Sequence, residues 1–174
     1  MTELLLGDFG LVAMGGNVGK GVRAGERLLR LLEDRKVPEG ATRYGHAFIY
    51  VGDGMIVEAR PGGARKTPNP YLHRPELLWS SGWFPDLTDT MRSKIVLHAN
   101  MLAELRTPYS DLDYLAITAH ALHIPAPGLR SYIETSKHMI CSQAVDWCYE
   151  PYRLFKDDRW DGFVTPMDLA GLKP

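Results

Sequence analysis

Tyr44-Gly45-His46-Ala47-Phe48-Ile49-Tyr50-Val51-Gly52-Asp53-Gly54-Met55-Ile56-Val57-Glu58-Ala59 contains two runs rich in apolar and β-branched residues, His46–Val51 and Met55–Ala59, on either side of Gly52-Asp53-Gly54. Such side chains suit a pleated surface, and Asp-Gly supplies the positive φ angles of a tight reversal. The stretch is predicted to be a β-hairpin with His46 starting one strand and Glu58 near the end of the other. A reversal of this kind brings the two positions opposite or nearly opposite each other. A carboxylate beside an imidazole fixes its tautomer and stabilises the imidazolium. A polar pair at a sheet margin is the simpler alternative.

On the N-terminal side, Asp8 to Met14 is a short apolar run ending at Gly15 and Gly16, as expected of a buried strand. Ala24 to Asp34 sets Leu28, Leu29, Leu31 and Leu32 on one face and Arg23, Arg27, Arg30 and Glu33 outside it, the pattern of an amphipathic helix. On the C-terminal side, Thr88 to Leu105 carries Met91, Ile95, Ala99 and Leu102 at helical spacing, with Thr88 as N-cap and Pro108 beyond the end. A further helix is predicted from Asp111 to Leu122, stopped by Pro125 and Pro127. A last one runs from near Cys141 to near Glu150, because Pro151 disfavours the helical conformation in the residue before it. Strands early and helices late predict an α+β fold, an antiparallel sheet packed against helices.

The chain has 174 residues, 45% of them hydrophobic, and shows no internal repeat or linker, so one domain over 1–174 is expected. With 20 Lys+Arg against 21 Asp+Glu, nothing in the charge favours nucleic acid or anionic lipid. Two cysteines make no disulfide framework. Met1 to Phe9 lacks the features of a secretory signal, and no run of about 18 apolar residues offers an integral membrane segment. A cytoplasmic protein is expected, with a phage-encoded or delivered one as the variant.

Cys141 falls in the first turn of the last predicted helix, where backbone N–H groups and the positive end of the helix dipole favour a thiolate and can receive an oxyanion. The bland reading is a small buried hydrophobe. Cys148 is seven residues on, roughly 10 Å away along a helix and too far for a disulfide; it is assigned to packing. A cysteine nucleophile needs a base, and there are six histidines. His73, His98, His120 and His123 have ordinary surface, capping or core explanations, and His138 is near Cys141 only in sequence. His46 stands on a rigid strand from which a ring can be aimed. A metal site built from His138, Cys141 and His46 is a remote alternative. Gly15-Gly16-Asn17-Val18-Gly19-Lys20-Gly21 fails as a phosphate loop, since Met14 and Gly21 stand where Gly and Ser or Thr are required. Pro61-Gly62-Gly63 reads as a turn.

The 44–59 stretch resembles the His-containing hairpin of NlpC-type papain-like cysteine hydrolases. The order His46, Glu58, then Cys141-Ser142-Gln143-Ala144-Val145 resembles the circularly permuted branch, similar to YiiX-like proteins and relatives of lecithin retinol acyltransferase. Gly7-Asp8, Pro61-Gly62-Gly63-Ala64-Arg65, Pro108-Tyr109-Ser110 and Val164-Thr165-Pro166-Met167-Asp168-Leu169 extend the likeness. Gly45 and Gln143 depart from the commoner residues at their positions. The resemblance implies a circularly permuted papain-like fold, Cys141 as nucleophile, His46 as base, Glu58 orienting His46, and no metal or organic cofactor. It implies a cysteine hydrolase cleaving an amide or ester through a thioester, with a peptide, peptidoglycan fragment or acyl-lipid as substrate. An acyltransferase or thioesterase on lipid-like substrates, or a noncatalytic domain keeping the fold, are the alternatives. Tyr44 is a candidate for lining the substrate pocket, and the aromatic loop 71–90, with Trp79, Trp83 and Phe84, either lines a groove or plugs a core edge. Oligomeric state is not legible.

Overall fold

The computed structural model describes residues 3–15, 27, 38, 40–109, 138–155 and 164–174. The helix expected over Ala24–Asp34, the one over Asp111–Leu122 and the stretch from Gly16 to Gly21 fall outside the described residues, apart from position 27.

The predicted hairpin forms as β2 (His46–Gly52) and β3 (Met55–Arg60), following β1 (Phe9–Val12). Its reversal places Gly52, Asp53 and Gly54 at φ of 94°, 52° and 70°, three successive positive values that explain why two of the three residues are glycine. Two further strands complete the sheet: β4 (Gly63–Pro68), reached through the turn at Pro61-Gly62, and β5 (Leu78–Trp79). All pairings are antiparallel, in the order β4-β3-β2-β1-β5. β1 is shorter than the run Asp8–Met14, and just past its end the Ala13 carbonyl accepts from the Arg74 guanidinium, at 3.1 Å.

Alternation along the strands divides the buried residues between two faces. Phe9, Leu11, Ala47, Ile49, Val57 and Ala59 join one core with α1 (Asp89–Glu104) and α2 (Cys141–Tyr149) through Ile95, Ala99, Leu102, Val145 and Cys148. Val12, Phe48 and Ile56 form a second cluster on the other face with Tyr50, Tyr71, Leu77 and Trp79. Gly10 sits between these rings, and a Cβ there would run into the Phe48 ring. The aromatic loop is used in packing: Trp79 meets Phe48 edge to face at 5.4 Å, Trp83 meets Phe9 in the same way at 5.5 Å, and Phe84 lies against Phe9 and Tyr149.

α1 begins as its sequence predicts, with Thr88 Oγ1 accepting from the Met91 N–H at 3.3 Å. It also carries Arg92, buried, whose guanidinium donates to Asp8 Oδ1 at 2.8 Å and to the Leu6 carbonyl at 3.0 Å, fastening the entry of β1 to the helix layer. α2 stops at Tyr149 and the chain tightens into a short 3-10 turn, Glu150–Tyr152, that accommodates Pro151. A terminal helix, α3 (Pro166–Gly171), opens with a capping box in which Thr165 and Asp168 exchange hydrogen bonds. The result is an α+β fold with a five-stranded antiparallel sheet. Among the described residues no helix is long and apolar enough to cross a membrane.

Candidate active site

Pairing of Ile49 with Val57 and of Tyr50 with Ile56 fixes the hairpin register. Continuing that register sets Phe48 opposite Glu58, with His46 one pleat farther along on the same face. A hydrogen bond results: His46 Nε2 lies 2.8 Å from Glu58 Oε2, both side chains almost wholly out of solvent. On the far side of β3, Arg65 of β4 stands directly opposite Glu58. Its Nε and Nη2 donate to Oε1 at 3.1 and 2.8 Å, and the Tyr71 hydroxyl donates to Oε2 at 2.7 Å. Tyr71 is held in turn by stacking on Phe48, with centroids 4.9 Å apart, and it presents a ring edge to His46 at 5.8 Å. Arg60 adds a longer-range charge, its Nη1 3.9 Å from Oε1.

Burying a carboxylate costs several kcal/mol, and each hydrogen bond to a charged group returns about 1.5–3 kcal/mol. Four donors around one carboxylate therefore decide its charge state. Burial pushes Glu58 toward protonation, but the bonds from His46, Tyr71 and Arg65 outweigh it and hold its carboxyl down at about 2. The Tyr71 phenol moves the opposite way, raised by burial and by donating to this anion.

The third residue arrives from the helix layer. Cys141 is the first residue of α2, 1% exposed, and it is both a hydrogen-bond and a charge partner of His46. With Nε2 committed to Glu58, Nδ1 is the ring nitrogen left for the sulfur. Burial disfavours the imidazolium, yet the Cys141 charge and hydrogen bond, followed by those of Glu58, raise His46 to about 9. The attraction is reciprocal, so the same contact favours a thiolate. The helix start has no Ser, Thr or Asp cap. Instead Gln143 Oε1 accepts from the Ile140 N–H at 2.7 Å, and Ser142 Oγ donates to the Val164 carbonyl at 2.7 Å, fixing the turn that carries the sulfur.

Behind Cys141 lies an apolar cavity of about 10 Å³ between α2 and the sheet, lined also by Ala47, Ala59, Ala144 and Cys148, about the least space that admits one water. A substrate carbonyl must come within about 3–3.5 Å of the sulfur, which requires covering groups to part.

Cys141, His46 and Glu58, separated in sequence, are thus brought together. Tyr44 is half-buried two residues before His46, with the Arg43 guanidinium 5.9 Å from its ring centre. Cys148 is fully buried and its thiol is pushed up by burial, in keeping with packing; neither cysteine is in a disulfide. His98 faces Trp147 and the Cys148 carbonyl, and His73 is exposed. Among the described residues no group of three His, Cys, Asp or Glu side chains is arranged to hold a metal. Sequence reasoning missed Arg65 and Tyr71. Arg65 was within reach, since one more strand after Pro61-Gly62 puts it beside Glu58, whereas Tyr71 comes from a loop and carries no local signal.

No protein-family model matches the chain, and no curated protein matches its sequence.

Proposed function

We propose that the chain is a cysteine hydrolase of the circularly permuted NlpC-type papain-like kind, cleaving an amide or ester through a thioester. The observation that carries this is the position of His46, whose ring is shared between the buried Glu58 carboxylate and the thiol at the first residue of a helix.

In the reaction the Cys141 thiolate attacks the substrate carbonyl carbon, forming the C–S bond and moving an electron pair onto oxygen. The backbone N–H of Cys141 and the positive end of α2 stabilise that oxyanion. As the oxyanion collapses, the C–N or C–O bond breaks and His46 gives its Nδ1 proton to the leaving group. Water then loses a proton to His46, attacks the thioester and releases acid and thiolate. Glu58 holds the ring in one tautomer throughout, and Arg65 and Tyr71 hold Glu58. An acyl acceptor other than water would use the same groups.

The test is a panel of peptide, peptidoglycan-fragment and acyl-ester substrates with Cys141→Ala as control. Turnover of one class, abolished in the variant while its melting temperature stays within a few degrees, supports the reading. Equal turnover in the variant overturns it.

A further inference from the structure

The chain leaves β4 through Pro68-Asn69-Pro70-Tyr71. Asparagine before proline favours a turn in which the side-chain oxygen accepts from the N–H two residues on. Pro70 fixes its own φ and disfavours the helical conformation at Asn69. That turn forms here, with the Tyr71 N–H donating to Asn69 Oδ1 at 2.8 Å. The Asn69 N–H donates to the Gly54 carbonyl at 2.8 Å, one step beyond the Met55–Pro68 pair that ends the β3–β4 ladder. We propose that Asn69 is a positioning residue for the reaction, fixing Tyr71 relative to the hairpin so that its hydroxyl reaches Glu58.

Both ends of the Tyr71–Glu58 hydrogen bond are thereby referred to one hairpin. Glu58 stands on β3, and Gly54 is the last residue of the reversal that precedes β3. Tyr71 hangs from that reversal through Asn69, and its ring stacks on Phe48 of β2 with centroids 4.9 Å apart. A stack fixes the spacing of two rings but lets them slide past each other. A hydroxyl 2.7 Å from Glu58 Oε2 tolerates little sliding before the bond is lost. The turn at Asn69 removes that freedom. Asn69 is itself only 8% exposed, and its Nδ2 is buried with no hydrogen-bond partner among the described residues. Leaving such a donor unpaired costs about 1–3 kcal/mol, so the oxygen is the part of the amide that is used. An aspartate would make the same turn but bury a charge, and a serine would make it more weakly.

The simpler explanation is a turn that only redirects the chain from β4 toward β5. Such a turn would affect stability and leave the chemistry of Glu58 alone. The kinetic effect of Asn69 rests on the hydrolase reading, whereas the Glu58 carboxyl reports the positioning without turnover.

The experiment is a double-mutant cycle on the whole chain, Asn69→Ala against Tyr71→Phe. It measures kcat and KM on the substrate class that the panel identifies, and follows the Glu58 carboxyl carbon by NMR as pH is lowered. Asn69→Ala should lower kcat about three- to tenfold with little change in KM, as expected for one weakened hydrogen bond. Glu58 should titrate at higher pH in this variant, and neither effect should recur in the Tyr71→Phe background. Asn69→Ser keeps an acceptor at the same place and should recover part of both; it carries the comparison if Asn69→Ala melts below the assay temperature. A chain that turns over no substrate removes the hydrolase reading and leaves the carboxyl titration to decide the role of Asn69. Wild-type kcat in Asn69→Ala, losses that add in the double variant, or a Glu58 titration unmoved by Asn69→Ala overturn the proposal.

Discussion

The Tyr71 hydroxyl and the His46 ring share one oxygen of Glu58, at 2.7 and 2.8 Å, while Arg65 occupies the other. The carboxylate is thereby prevented from rotating away from the imidazole it orients. Tyr71→Phe keeps the stack on Phe48 and deletes only the donor. Loss of one hydrogen bond to a charged group, about 1.5–3 kcal/mol, should lower kcat roughly tenfold with little change in KM, and Glu58 should titrate at higher pH. A pH–rate profile reads both. A Tyr71→Phe enzyme with wild-type kcat and an unmoved acid limb would show that the hydroxyl has no positioning role.

Replacing the sulfur should alter the histidine even in the absence of substrate. Cys141 is the largest upward influence on His46, acting against a burial effect that lowers it. In Cys141→Ala the imidazole should therefore titrate well below about 9, with Glu58 alone opposing burial. An NMR titration of the His46 ring in both proteins measures this directly. Identical values would mean that thiol and ring do not interact in solution.

The hydrolase reading also fixes the alkaline side of the pH profile. His46 must be protonated to release the leaving group, so kcat/KM should fall as pH rises through about 9. In Glu58→Gln that limb should move to lower pH, because the hydrogen bond and charge of Glu58 help hold the imidazolium against burial. Stability should respond at the acid end. The Glu58 carboxyl is depressed from 4.5 to about 2, so its contribution is present above the unfolded value and is lost as pH falls through the folded one. Urea midpoints measured from pH 6 down to pH 2 should fall more steeply in the wild type than in Glu58→Gln.

How much of this was legible depended on whether a residue's role was local. The hairpin showed because Gly52-Asp53-Gly54 can be little else, and α1 showed through its Thr88 cap and the spacing of Ile95, Ala99 and Leu102. β4 did not show, since on an edge strand only Gly63 and Ala64 are buried, leaving Arg65-Lys66-Thr67 without an apolar pattern. β5 is two residues long and has no periodicity to detect. The Thr165–Asp168 capping box was a readable signal for α3, but the helix is six residues long and the hydrophobic period never develops. At the site, His46 and Glu58 follow from one register, whereas Tyr71 reaches Glu58 with its ring stacked on Phe48, a tertiary contact that no local pattern encodes.

A last prediction concerns the anchor of β1, where a buried ion pair has unequal partners. Asp8 accepts from Arg92 at 2.8 Å, but also from the Ser81 hydroxyl at 2.8 Å and the Leu5 N–H at 2.9 Å. Beyond Asp8, Arg92 has among the described residues only the Leu6 carbonyl, which uses the same nitrogen. Asp8→Ala therefore leaves a buried guanidinium without a counter-charge, a loss of about 3–5 kcal/mol. Arg92→Met keeps the apolar stem and leaves a carboxylate that still has two donors, so it should destabilise by less. At this chain length each kcal/mol moves the melting temperature by about 2–4 °C, which puts Asp8→Ala about 6–20 °C below wild type and Arg92→Met between the two. Calorimetry on the two variants decides it, and the reverse order would mean that the arginine, and not the carboxylate, is the better supported partner.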